Sequence, residues 1–214
     1  YVVVAYMRRN LGSLEAGVKY LILGALSTGF LLYGLAWLFG LTGQTNLAAI
    51  QTVLVDWKGD TTPLLFTMAL LMVGLSFKVG AAPFQFWIPD VYQGAPTPIT
   101  AFLSVGSKAA GFIVLIRLLE PLLASPIRHA VLLMLGVLAG ATLIVGNLAA
   151  INQSNFKRLL AYSSIAHAGF LLMALAAGQP AGGVSPNGVV ALYLGTYVVM
   201  TMLAFAVLVI VRKA

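Results

Sequence analysis

The sequence predicts an all-α fold, a polytopic bundle of membrane-spanning helices, on three observations. Apolar and aromatic residues make up 61% of the 214 residues and charged residues 8%, whereas soluble domains carry about 25% charged residues. A soluble core could not hide that much apolar surface, so lipid has to be the solvent. Apolar runs close to the ~20 residues that a spanning helix requires recur along the whole chain. Short charged or Gly/Pro-bearing segments separate them, with no soluble domain, low-complexity tract or linker between.

Taken in order, Tyr1 to Met7 reads as the tail of one span, ended by Arg8-Arg9-Asn10. Starting inside an apolar stretch, without an initiator Met or a signal-peptide pattern, the chain reads as a fragment of something longer. A full span is expected at about 14–39, with Ser13 as its N-cap and Glu15 in the first turn, where the helix dipole favours an anion. Residues 40–62 read as a loop carrying Asp56, Lys58 and Asp60. The next apolar run, about 63–92, passes through Lys78 and meets Pro83 and Pro89. Interior prolines break or kink helices, so this is an interrupted span. Further spans are expected at about 99–119, 129–151, 156–177 and 188–211, all within one transmembrane domain, 1–214.

Threading these spans places Arg8, Arg9, Lys157, Arg158, Arg212 and Lys213 on one side of the membrane, with Asp90. Lys58 and Arg128 fall on the other. Surplus Lys and Arg mark cytoplasmic loops, which puts the first side in the cytoplasm of an inner membrane. The net charge of +7 therefore reports topology and does not indicate a nucleic-acid partner. With no cysteine there is no disulfide framework or thiolate metal site. His129 and His167 are too far apart in sequence to suggest a metal site by themselves. No phosphate-binding glycine loop, nucleophile–base arrangement, or haem, flavin or iron–sulfur pattern is present. Trp37, Trp57 and Trp87 fit interfacial aromatic belts.

Chemistry is expected where charge enters the spans. A lysine at a helix centre costs about 2.5–3.5 kcal/mol to insert, so an intramembrane ionisable group is a functional candidate by default. Lys78 lies in Leu75-Ser76-Phe77-Lys78-Val79-Gly80, and Lys108 lies near the middle of its span among small residues. Burial disfavours the charged form of lysine while a nearby carboxylate favours it, and a lysine under both influences suits a proton relay. The competing reading is a lysine that snorkels to the interface or only packs as an ion pair. Glu15 and Lys19, spaced i,i+4, read either as an interfacial pair or as the way in from the cytoplasm to the buried lysines. His167, mid-span, has an unperturbed pKa suited to proton shuttling, or is a hydrogen-bonded structural histidine. Lys157 and Arg158 read as topology anchors.

From Phe77 to Gly111 the sequence becomes specific. The run FKVGAAPFQFWIPDVYQGAPTPITAFLSVGSKAAGF resembles the antiporter-like membrane subunits of respiratory complex I, the proton-pumping NADH–quinone oxidoreductase. Its DVYQGAPTP segment resembles the subunit N branch in particular. SLEAGVKYLILGA at Ser13–Ala25 and KRLLAYSSIAHAGF at Lys157–Phe170 agree, so the resemblance covers the chain nearly end to end. It implies the middle of a 14-helix inverted-repeat antiporter-like fold. It implies a proton path through Lys78, Lys108, His167, Glu15 and Lys19, driven by quinone reduction elsewhere. Partners would be the bilayer, protons and the other membrane subunits, with quinone, NADH, flavin and iron–sulfur clusters belonging to other subunits and no cofactor in this chain. Two departures stand out. Gln85, which cannot titrate, replaces the histidine of many relatives. The glutamate that pairs with the Lys78 equivalent and the distal lysine of the second repeat would precede Tyr1 and follow Ala214. A second reading is a subunit of a multi-subunit cation/proton antiporter. A third is a membrane scaffold, which would have no need of two mid-span lysines.

Overall fold

The computed structural model describes residues 1–7, 9–178 and 185–211. Arg8, Arg212 and Lys213, on which part of the charge asymmetry rests, lie outside the described residues. Among those described there is no strand. A short 3-10 helix, Val2–Ala5, precedes α1 (Leu11–Thr42), α2 (Leu47–Val55), α3 (Thr62–Val79) and α4 (Trp87–Gly94). Then come α5 (Thr97–Leu123), α6 (Arg128–Ile151), α7 (Phe156–Ala176) and α8 (Pro186–Val211). Six of these helices, all but α2 and α4, are long and apolar enough to cross a membrane.

Local chemistry sets the ends. Asn10 caps α1 by accepting from the Ser13 N–H at 3.3 Å, so the helix begins before the expected Ser13 cap. Ser13 is instead buried, its hydroxyl donating to the Val4 carbonyl at 2.8 Å. Glu15 consequently falls beyond the first turn, and the dipole argument for it no longer applies. Gly43 closes α1 in the left-handed conformation at φ 65°. At ~1.5 Å per residue, the 32 residues of α1 reach about 48 Å. That exceeds a ~30 Å hydrocarbon core, so its ends extend past lipid. The expected loop 40–62 contains a helix, α2, because Asn46 caps it by accepting from the Ala48 and Ala49 N–H groups.

The interruption occurs as the prolines suggested, but Gly80 makes the stop. At φ 79° its N–H donates to the Ser76 and Phe77 carbonyls and ends α3 directly after Lys78. The freed backbone is satisfied by neighbouring helices, as lipid requires. Ala82 N–H donates to Thr142 Oγ1 of α6 at 2.9 Å. The Trp87 indole N–H donates to the Phe77 carbonyl at 3.0 Å, bridging the break. Trp87 is thus buried, not part of an interfacial belt. An added Cβ at Gly80 would also overlap Ile88 Cδ1. Gly80→Ala is expected to lower stability by at least ~1–2 kcal/mol from the left-handed backbone alone. A thermal melt of the purified protein within a few tenths of a degree of wild type would contradict this.

The helices pack around two apolar cores. The larger joins α2 and α6 to parts of α1, α3, α5, α7 and α8, and includes Val79, Phe112, Leu135 and Leu171. The smaller gathers around α4 and includes Phe77, Trp87, Ala101, Ile165 and Phe205. On α3 the cores meet between Phe77 and Val79, on α5 between Leu103 and Ala109, and on α7 between Ile165 and Ala168.

Candidate functional site

The three candidate residues inside the bundle fall in the seam between the two cores. Lys78 separates Phe77 from Val79, Lys108 precedes Ala109, and His167 lies between Ile165 and Ala168. Each ionisable group thus sits on its helix at the change from one apolar cluster to the other.

Lys108 is 3% exposed. It follows a π-helical segment, Leu103–Ser107, within α5. Such widened turns appear mostly as single-turn insertions, often at functional sites. The Lys108 ammonium donates to the Ser164 carbonyl and, at 2.5 Å, to Ser164 Oγ on α7. It lies 5.6 Å from the centre of the Tyr197 ring of α8, within range of a cation–π contact. No carboxylate pairs with it among the described residues. Ser164 Oγ is in turn 3.2 Å from the buried Tyr92 hydroxyl of α4. His167 Nδ1 is 2.6 Å from the Tyr193 hydroxyl, and its ring centre is 5.0 Å from that of Tyr197. Tyr197 thus stands between Lys108 and His167. Its hydroxyl is buried beside Ser164 and Thr201 without a hydrogen bond of normal geometry to either.

Lys78 occupies a different space. It lines a cavity of about 240 Å³ with Tyr1, Tyr20, Trp87, Ser107 and Gly111. Ser107, Ala110 and Gly111 turn one face of α5 to Lys78, whereas Lys108, Phe112 and Leu115 are buried along another. Lys108 is not among the residues lining that cavity, and its ammonium bonds are to Ser164, not to Lys78. The Gln85 side-chain oxygen is buried and unpaired.

Glu15 and Lys19 do not reach the seam. They belong to an ionic cluster at one end of the bundle. Lys19 Nζ contacts Glu15 Oε1 at 2.6 Å and Asp90 Oδ2 at 2.8 Å. Arg158 Nη1 contacts Asp90 Oδ1 at 2.9 Å and Gln93 Oε1 at 3.1 Å. Asp90 sits on α4, outside the six spanning helices. Burial pushes its carboxyl up, but hydrogen bonds and charge from Lys19 and Arg158 outweigh this and hold it below the usual carboxylate value. Lys157 Nζ donates to the Ala95 carbonyl at the C-terminal end of α4, at 2.8 Å, where the helix dipole welcomes a cation. Arg158 is therefore a structural partner as well as a surface charge.

Sequence reasoning did not select Asp90, Tyr92, Ser164, Tyr193 or Tyr197. For Asp90 a signal existed: the chain has five acidic residues, and this one adjoins the broken helix. The hydroxyl residues gave none, since the sequence does not fix which faces of α4, α5, α7 and α8 meet.

A polytopic helix bundle with a broken helix, and with a buried lysine bonded to a serine inside it, defines a helical integral membrane protein. The family described as "NADH:quinone oxidoreductase/Mrp antiporter, TM" matches residues 1–214, and the chain belongs to it. It is 48% identical over its full length to "NADH-quinone oxidoreductase subunit N" of Trichlorobacter lovleyi, covering 43% of that protein. It is 46% identical over 96% of its length to "NADH-quinone oxidoreductase subunit N 1" of Solibacter usitatus, covering 41% of it. The chain thus spans less than half the length of these curated relatives. A chain of respiratory complex I from Thermus thermophilus superposes with TM-score 0.75 at 42% identity, over 94% of this chain and 42% of that one. A chain of an archaeal membrane-bound sulfane sulfur reductase superposes with TM-score 0.87 at 29% identity, over 96% of this chain and 41% of that one.

Proposed function

We propose that this chain is part of a proton-translocating membrane subunit of an NADH–quinone oxidoreductase. The observation that carries the proposal is Lys108: a nearly inaccessible lysine in the seam of a membrane bundle, held by one serine and no acid. Holding a charge there costs several kcal/mol unless it is relieved by proton loss or by a partner. A group poised in that way takes up and releases protons when its surroundings change. Lys78, Lys108 and His167 would carry protons along the seam, with Tyr197 and ordered water filling the gap between the last two. Lys78 and Lys108 share no hydrogen bond, so transfer between them would run through water or side-chain movement, with Ser107 lining the Lys78 cavity. Glu15 and Lys19 would act indirectly, by holding α4 through Asp90.

Electron transfer would take place on other subunits, which would hold NADH, flavin, iron–sulfur clusters and quinone. The match to a chain within a solved complex I supports partnership with other membrane subunits and the bilayer. The end carrying Arg9, Lys157 and Arg158 would face the cytoplasm of a bacterial inner membrane. Identities of 42–48% to proteins named subunit N favour this reading over a cation/proton antiporter subunit. A chain of an Mrp complex from Dietzia sp. shares the fold at 20% identity.

The test is proton pumping by membranes carrying the full-length subunit in its complex, with NADH and quinone supplied. Lys78→Ala is expected to reduce pumping about 100-fold, the usual scale for deleting a proton-transfer group, while the complex still assembles. Unchanged pumping would leave Lys78 a structural residue.

A further inference from the structure

The short helix α4 is tied at two neighbouring residues to very different surroundings. Asp90 is gripped by Lys19 of α1 and Arg158 of α7 at the bundle end. Two positions on, Tyr92 is 1% exposed and its hydroxyl meets Ser164 Oγ, the same atom that receives the Lys108 ammonium. The Tyr92 carbonyl is in turn an acceptor for Thr100 Oγ1, which fixes this turn of α4 against the start of α5. We propose that Tyr92 and Ser164 are positioning residues for Lys108, forming a hydroxyl chain that relays the charge state of Lys108 to α4 and its surface anchor at Asp90.

The chemistry follows from what each group can donate. An ammonium has donors only, so beside charged Lys108 the Ser164 oxygen must accept and its own proton is free to point at the Tyr92 oxygen. A neutral amine has a lone pair, so Ser164 can donate to Nζ and accept the Tyr92 proton instead. Both directions keep the Lys108–Ser164 and Ser164–Tyr92 contacts, and gain or loss of the Lys108 proton reverses the chain. No heavy-atom bond forms or breaks in that reversal; two hydroxyl protons rotate. The other groups facing Lys108 are His167 of α7 and Tyr197 of α8, while Lys78 of α3 lines a cavity that does not include Lys108. Tyr197 also lies beside Ser164 but without a hydrogen bond of normal geometry, whereas the Tyr92 hydroxyl is 3.2 Å from Ser164 Oγ.

This inference rests on the relay reading of Lys108, and the experiment separates the two. Protons pumped per NADH oxidised are measured across pH in proteoliposomes holding the assembled complex, with the full-length subunit carrying Tyr92→Phe, Ser164→Ala, Asp90→Asn or Lys108→Met. Tyr92→Phe removes one oxygen from a retained ring, so it carries the test if Ser164→Ala fails to assemble. The expected result is no pumping in Lys108→Met. Tyr92→Phe should displace the pH profile by about half a unit, the scale of a fraction of one hydrogen bond acting on Lys108 through Ser164. Asp90→Asn, which loosens the anchor of α4, should also displace it, and the Tyr92→Phe/Ser164→Ala double variant should go no further than Ser164→Ala alone. A wild-type profile in Tyr92→Phe, or a uniform drop without displacement, overturns the hydroxyl chain while an inactive Lys108→Met leaves the relay standing. Normal pumping in Lys108→Met overturns the relay itself.

Discussion

Lys108→Met is expected to abolish proton pumping by the intact complex and, at the same time, to leave the subunit as stable as wild type or more so. The two halves of that expectation come from one fact. Lys108 is 3% exposed and has hydroxyl, carbonyl and ring partners but no carboxylate. Its charge is therefore carried in the bundle at a cost, and insertion of a central lysine is unfavourable by about 2.5–3.5 kcal/mol. Methionine keeps most of the stem and its packing against α7 and α8 but removes that cost. Loss of its bonds leaves Ser164, whose hydroxyl still has Tyr92 within reach. A residue kept only for packing would behave oppositely, giving lower stability and ordinary pumping. Thermal unfolding of the purified complex and a pH-gradient assay in vesicles decide between them. A melting temperature several degrees below wild type, with pumping intact, would defeat the argument.

Gly94→Val is expected to separate α4 from α1. Gly94 ends α4 with its backbone against Gly12 of α1, so an added Cβ would overlap the Gly12 carbonyl and lie 2.7 Å from Ala16 Cβ. The obstacles are a main chain and a methyl group with no rotamer to move into. The helices must part, at an overpacking cost of typically ~1–3 kcal/mol, occasionally more. Because Asp90 lies one turn earlier, parting also lengthens its 2.8 Å contact with Lys19. The measurement is the thermal midpoint and assembled yield of the full-length variant, with Gly29→Ala as the comparison, since nothing lies within 4 Å of a Cβ at Gly29. Equal behaviour of the two variants would mean that α4 is not held where the close approach places it.

These residues show how far the chain can be read without coordinates. Span positions were legible because apolar length is a one-dimensional quantity: α6 and α7 begin and end within a residue or so of where hydropathy alone puts them. Lys108 was legible because a charge in mid-span stands out against its neighbours. The ends of α1 were less so, since Asn10 and Ser13 are both competent caps and only the Val4 carbonyl, which takes up the Ser13 hydroxyl, decides between them. Helix α2 was hidden by its nine-residue length, well short of a span. The companions of Lys108 were not legible at all. Tyr92 and Ser164 are 72 positions apart in sequence, and membrane helices that are apolar nearly all round give little periodic signal of which face turns inward. The π turn before Lys108 sets that facing, and nothing in Leu103–Ser107 announces it.

The division into two apolar clusters has a mechanical meaning. Each cluster is close-packed, and close-packed interiors resist deformation. Where α5 and α7 pass from one to the other, Lys108 and His167 are held by hydrogen bonds and ring contacts that are easier to rearrange than a packed interior. Small shifts of α4 would therefore be taken up most easily around Lys108 and His167, changing the distances among their side chains while the apolar clusters keep their packing.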